Sequence, residues 1–217
     1  MPTLKGAFLK FSGGLLGLPD IVVFQFNPET VSRTPSLAQT DVTASTANWS
    51  DPLSVVAAPA ESFSFSLRLD ATDQLAATNP IAIASGILPI LSALELLMYP
   101  MPASSQLLSI PNSGSAYANP PSQLPVVLFF WGPFRILPVN ITSMSINETE
   151  YDPQLNPTRA EVTVNLQVVS PPALERITED RQLMQGAYQY TQNVKEVMAA
   201  LNLANSAALA GSMTVSL

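Results

Sequence analysis

Pro125-Val126-Val127-Leu128-Phe129-Phe130-Trp131-Gly132-Pro133 is the stretch that decides the fold of this chain. An unbroken apolar run of this length, stopped by Gly-Pro, fits a strand buried on both faces and is too short for a typical helix. A second extended segment follows over about 134–146. The turn-rich connector Tyr151-Asp152-Pro153-Gln154-Leu155-Asn156-Pro157 then leads into 159–169. There Ala160, Val162, Val164, Leu166 and Val168 alternate with Glu161, Thr163, Asn165 and Gln167. Period-2 alternation marks a strand with one buried and one wet face. Three consecutive strands joined by turns predict an antiparallel meander at the centre of the fold.

Upstream, residues 4–11 and 21–26 (Ile-Val-Val-Phe-Gln-Phe) predict a first hairpin that Asn27-Pro28 terminates. Residues 29–60 are rich in Ser, Thr, Ala and Pro, with the isolated Trp49 among few large apolar side chains. A structureless segment this long is either disordered or an extended arm ordered on a neighbour. Residues 61–70 form the cleanest strand pattern: Phe63, Phe65, Leu67 and Leu69 on one face, Ser62, Ser64, Ser66 and Arg68 on the other. Asp70-Ala-Thr-Asp73 is expected to make a polar turn.

Residues 80–99 approach the roughly 20 apolar residues a bilayer requires. Glu95, Pro89 and Gly86 interrupt the run. A helix over about 88–99, with Pro89 in its first turn and packed across the sheet, is preferred to a membrane span. Residues 100–123 predict a surface loop. After Pro171-Pro172 the pattern turns helical from 173 to about 208. Leu174, Ile177, Met184, Tyr188, Val194, Met198 and Leu201 recur mainly at three- and four-residue steps, and Gly186 is a candidate break. The fold class expected is therefore mainly β with helices: an antiparallel β-sandwich or barrel, one helix packed on the sheet, and a helical C-terminal tail. The domain division expected is 1–170 and 171–217.

The composition narrows function by exclusion. The chain of 217 residues has no cysteine and no histidine. That removes disulfides, thiolate nucleophiles, imidazole bases and zinc-finger ligands together. The nine basic residues are scattered and the net charge is −7, so no basic stripe exists for nucleic acid. The carboxylate groups Asp70/Asp73, Glu148/Glu150/Asp152 and Glu179/Asp180 read as solvated charge rather than an acid–base pair. No catalytic residue, cofactor site or metal site is expected, and no enzymatic role. The N-terminus lacks the layout of a secretory signal. Hydrophobic content of 47% against 12% charged residues leaves apolar surface for other subunits to cover.

Five segments carry a resemblance in their order and spacing. They are Phe24-Gln25-Phe26-Asn27-Pro28-Glu29; 63–70; Pro125 through Trp131-Gly132; Tyr151-Asp152-Pro153; and Asn156-Pro157-Thr158-Arg159-Ala160-Glu161-Val162. Over roughly 5–170 the chain resembles the tube-type domain of the baseplate tube adaptors of contractile injection systems, the extracellular phage-tail-like particles. The resemblance implies a fold like that of phage tail-tube proteins, assembled as a homo-hexameric ring. Such a ring joins the inner tube above to the spike hub below, starts tube assembly, touches other baseplate proteins, and is built in the cytoplasm into a phage-tail-like particle. Asn27, Pro28, Trp49, Asp70, Trp131, Gly132 and Arg159 are the structural or interface candidates, and Arg159 is expected from its place at a strand start to pair with a carboxylate. Many relatives continue into a LysM module, for which the helical tail here has no strand pattern, so peptidoglycan binding is not implied. Residues 29–60 and 100–123 become candidate inter-subunit arms, and the polar face of 160–168 a candidate lumen lining. Two alternatives stand beside this: a membrane-associated anchoring protein using 80–99, and a carbohydrate-binding β-sandwich using Trp49 and Trp131.

Overall fold

The computed structural model describes residues 4–11, 20–37, 59–99, 124–175 and 181–214. Its strands are β1 (Ala7–Phe11), β2 (Asp20–Val23), β3 (Val31–Ser36), β4 (Ala60–Asp70), β5 (Val126–Phe130), β6 (Ile136–Tyr151) and β7 (Pro157–Val168). They form one antiparallel sheet in the order β2-β1-β5-β6-β7-β4-β3. The expected meander β5-β6-β7 occupies its middle, and the expected β1–β2 hairpin lies at one edge. Phe63, Phe65, Leu67 and Leu69 of β4, and Ala160, Val162, Val164 and Leu166 of β7, are all buried, so both alternating patterns hold.

The sheet curls strongly. β1 and β4 are four strand spacings apart, about 19 Å in a flat sheet. Yet the rings of Phe8 on β1 and Phe65 on β4 have centroids 6.3 Å apart. Phe24, Phe63 and Phe129 pack into the same aromatic centre. The architecture is thus one curled, barrel-like sheet rather than two sheets of a sandwich. It is bounded by β2 and β3 as edges.

β5 is buried on both faces. Val127 and Phe129 enter the aromatic centre, while Leu128 joins a second cluster with Val169, Leu174 and Met184. The helices supply both covers. α3 (Leu88–Glu95) adds Leu91 and Leu94 to the aromatic centre, whereas α4 (Pro171–Leu174) and α5 (Arg181–Thr214) close the second cluster.

Several expectations are corrected. Within 29–60, residues 31–36 are a strand paired in register with β4, because the Val31 side chain reaches the core opposite Phe65. Residues 38–58, including Trp49, and 100–123 lie outside the described residues. The turn expected at 70–73 instead opens helix α1 (Thr72–Ala76), where the Asp70 carboxylate accepts from the Thr72 N–H at 2.8 Å. A further helix, α2 (Pro80–Ser85), precedes α3. Asn79 caps it by accepting from the Ile81 N–H at 3.0 Å, and Pro80 fills its first turn. Gly86, at φ +56°, breaks α2 from α3. A Cβ there would stand 2.1 Å from the carbonyl oxygen of Pro157, so only glycine lets this corner sit on β7. Gly186, in contrast, does not break α5, which runs through it.

Candidate functional site

The side of the sheet turned away from the aromatic centre is polar across four strands. One row of paired residues reads Ser32, Ser64, Asn165, Ser143 from β3 to β6. The next rows toward the β6–β7 turn are Ser66, Thr163, Ser145 and then Arg68, Glu161, Asn147. On the other flank stand Thr34, Ser62, Gln167 and Asn140. The side chains bond across strands: Ser66 Oγ donates to Glu161 at 2.8 Å, and Asn165 Nδ2 to Ser143 Oγ at 2.9 Å. No large apolar side chain interrupts these rows, and Arg68 and Glu161 face each other as an opposite-charge cross-strand pair. The face is therefore hydroxyl- and amide-lined and close to electroneutral.

A β-bulge between Ile141 and Ser143 makes this continuity possible. Before it, Leu137, Val139 and Ile141 point to the core. After it, Met144 and Ile146 do, and Ser143, Ser145 and Asn147 join the polar face. The alternation in 61–70 and 160–168 marked the polar faces of β4 and β7 but not that of β6, since the bulge shifts the period of β6 by one residue.

An ion network sits at each end of β4. At its C-terminal end Arg159 Nε donates to Asp70 at 2.8 Å and Nη1 to Glu150 at 2.7 Å. Gln25 reaches the same corner, accepting from the Asp70 N–H at 2.9 Å. Burial pushes the Asp70 carboxyl up, but hydrogen bonds from Thr72 and the charge of Arg159 outweigh it and hold the group below its ordinary value. The carboxylate expected to pair with Arg159 is thus Asp70, on the adjoining strand. At the N-terminal end Glu61, on the core face of β4, is 7% exposed. It bonds Arg33 on β3 and Lys195 on α5, the latter at 2.9 Å. Burial raises this carboxyl too, and the two cations more than reverse it. Arg135 lies 5.6 Å over the Phe63 ring. Burial lowers its guanidinium pKa, as does the charge of Arg33, against Glu61. Glu61 went unnoticed in the sequence because a carboxylate at a strand start reads as a solvated end.

The other candidates have local tasks. Asn27 accepts from the Gly6 N–H at 2.9 Å and donates to the Leu4 carbonyl at 2.8 Å, tying the β2–β3 connection to the start of β1. Pro28 follows in a shallow cleft beside Arg68 and Glu161. Trp131 stacks on Phe129 with centroids 6.0 Å apart. Gly132, at φ +75°, makes the turn into Arg135, whose carbonyl accepts from the Trp131 N–H at 2.9 Å. The structure brings Asp70 and Arg159 together, and groups Asn27, Trp131 and Gly132 around one surface cleft with Leu4 and Gly6. Among the described residues no three His, Cys, Asp or Glu side chains converge as metal ligands, and no helix is long and apolar enough to cross a membrane.

A sequence model of the contractile injection system tube protein matches residues 17–176. That is well over half of the chain. The chain belongs to the contractile injection system tube protein family. No curated protein matches it. As a tube-family protein it is a structural component of a contractile injection system, and its β-rich, curled sheet lies largely within the matched span. α5 lies beyond that span.

Proposed function

We propose that this chain forms a hexameric ring that joins the spike hub to the inner tube in the baseplate of a contractile injection particle and starts tube assembly. The particle is assembled in the cytoplasm, and the ring takes part through contacts rather than catalysis. The carrying observation is the four-stranded hydroxyl- and amide-lined face, flanked by β3, the terminal strand among the described residues. A solvated, near-neutral sheet face suits a subunit that lines a channel, and terminal strands suit one that meets copies of itself. In this arrangement residues 1–170 form the ring body and 171–217 an extension toward surrounding baseplate proteins. Asp70, Arg159, Asn27, Pro28, Trp131 and Gly132 hold the ring body in shape, and Trp49 belongs to an inter-subunit arm.

The family match favours a second reading, in which the chain is a stacking tube subunit. The helical extension outside the matched span supports the adaptor over it. Electron microscopy of the chain co-expressed with tube and hub proteins separates the two. A single ring capping each tube, retained on hub pull-down, is expected. Long tubes made of this chain alone would replace the adaptor by the tube subunit. Complete baseplates recovered after deletion of 171–217 would remove the role given to the extension.

A further inference from the structure

Basic residues that are scattered in the sequence meet in the fold. Arg33 on β3, Arg135 just before β6 and Lys195 on α5 converge on a single carboxylate, Glu61. That carboxylate is taken by Arg33 and Lys195. Arg135 rests on the Phe63 ring, and among the described residues no carboxylate forms an ion pair with it. The side chains of Arg33 and Lys195 are 37% and 36% exposed, so the cluster is open to a partner. Three cations around one carboxylate make this corner a positive pole in a chain of net charge −7.

The far end of β6 has the opposite sign. Asp70, Asp73, Glu148, Glu150 and Asp152 gather about the β6–β7 turn and the start of α1 with one guanidinium, Arg159. Asp70 and Glu150 share that cation, while Asp152 accepts from the N–H groups of Gln154 and Asn156 in its own turn. Among the described residues no second basic side chain forms an ion pair here. The 16 residues of β6 hold the two poles on the order of 40 Å apart along the strand. Exposed charges act over only about 8 Å at physiological salt. One chain therefore leaves both poles uncompensated, and two chains can match them.

We propose that the Arg33–Arg135–Lys195 end of one copy docks on the Glu148–Asp152 end of the adjacent copy in the ring. This inference rests on the ring reading above. A ring is built from a head-to-tail contact, in which two different patches of the same chain meet. Opposite charge at the two ends of one strand supplies such a pair. It also fixes the direction of packing, because copies turned the other way bring like charges together.

Full-length Arg135→Glu and Glu148→Lys chains are each combined with tube and hub proteins, and assembly is followed by native mass spectrometry. Each variant should weaken assembly at least about tenfold. Mixing the two should restore it, since alternating copies place opposite charges at every junction. The absence of native cysteine gives a second measurement that does not alter Arg135. Phe134, beside it, is 60% exposed. Full-length Phe134→Cys and Glu148→Cys chains are assembled together and oxidised, and a disulfide-linked heterodimer is expected. Where circular dichroism shows a charge variant to be unfolded, the cross-link decides alone. Folded charge variants that assemble like the native chain, a mixture no better than its components, or rings without the cross-link would overturn the contact and leave the ring. A chain that stays monomeric with its tube and hub partners present would overturn both.

Discussion

Two glycines show how a single Cβ separates strain from collision. At Gly132 a methyl would meet only Leu4 at 3.7 Å, so Gly132→Ala should cost the left-handed conformation alone, about 1–2 kcal/mol. At Gly86 the same strain is joined by a contact of 2.1 Å with the Pro157 carbonyl, so Gly86→Ala should cost more, about 3–4 kcal/mol. Urea unfolding of both variants measures the order, and equal losses would show that the α2–α3 corner moves freely off β7. The paired carboxylates predict acid sensitivity. Glu61 and Asp70 both have folded values below their unfolded ones. Their stabilisation is therefore complete above the ordinary carboxyl range near 4 and is lost as pH falls through the folded values. Arg33 and Lys195 are about a third exposed, so solvent screening limits Glu61→Gln to a loss of about 1–2 kcal/mol at neutral pH. The loss should shrink toward about pH 3, below the ordinary carboxyl value; a constant difference across pH would remove Glu61 from the linkage.

Among the elements, the helix α5 is docked through Met184, Thr191 and Lys195 and exposed over 196–206. Gly186 sits inside the helix with nothing within 4 Å of where an added methyl would stand, so Gly186→Ala should stabilise by about 0.5–1 kcal/mol in thermal unfolding. A loss instead would place a contact at this site. Legibility in the sequence followed the regularity of each element. β4 and β7 were readable because an uninterrupted period of two runs through Phe63–Leu69 and Ala160–Val168. β5 was readable because Leu128 and Phe129 need cover on opposite faces. β3 was missed, since Ser32, Arg33, Thr34 and Pro35 owe their strand conformation to pairing with β4 rather than to their own propensity. The bulge at Thr142 and the pairing of Glu61 with Lys195, 134 positions away, depend on tertiary contacts that no local pattern encodes.

At the scale of the whole molecule, an aromatic centre inside a curled sheet leaves the other side of that sheet for a polar surface. Phe129 is the hinge of that design, touching Phe8, Phe24, Phe63, Phe65 and Trp131 at once. Phe129→Ala should cost about 3–5 kcal/mol and abolish assembly through loss of the fold, which urea unfolding alongside size-exclusion chromatography would check. The family membership accounts for a structural component of an injection particle, and the proposed ring would give the polar face a role as a channel lining. The most direct measurement is the mass and symmetry of the assembled chain, by native mass spectrometry and class averages of negatively stained particles in the presence of tube and hub proteins. The ring requires six-fold particles in which this chain contributes six times its 23.2 kDa. A species of one chain under the same conditions, or a closed ring of another number, would contradict it.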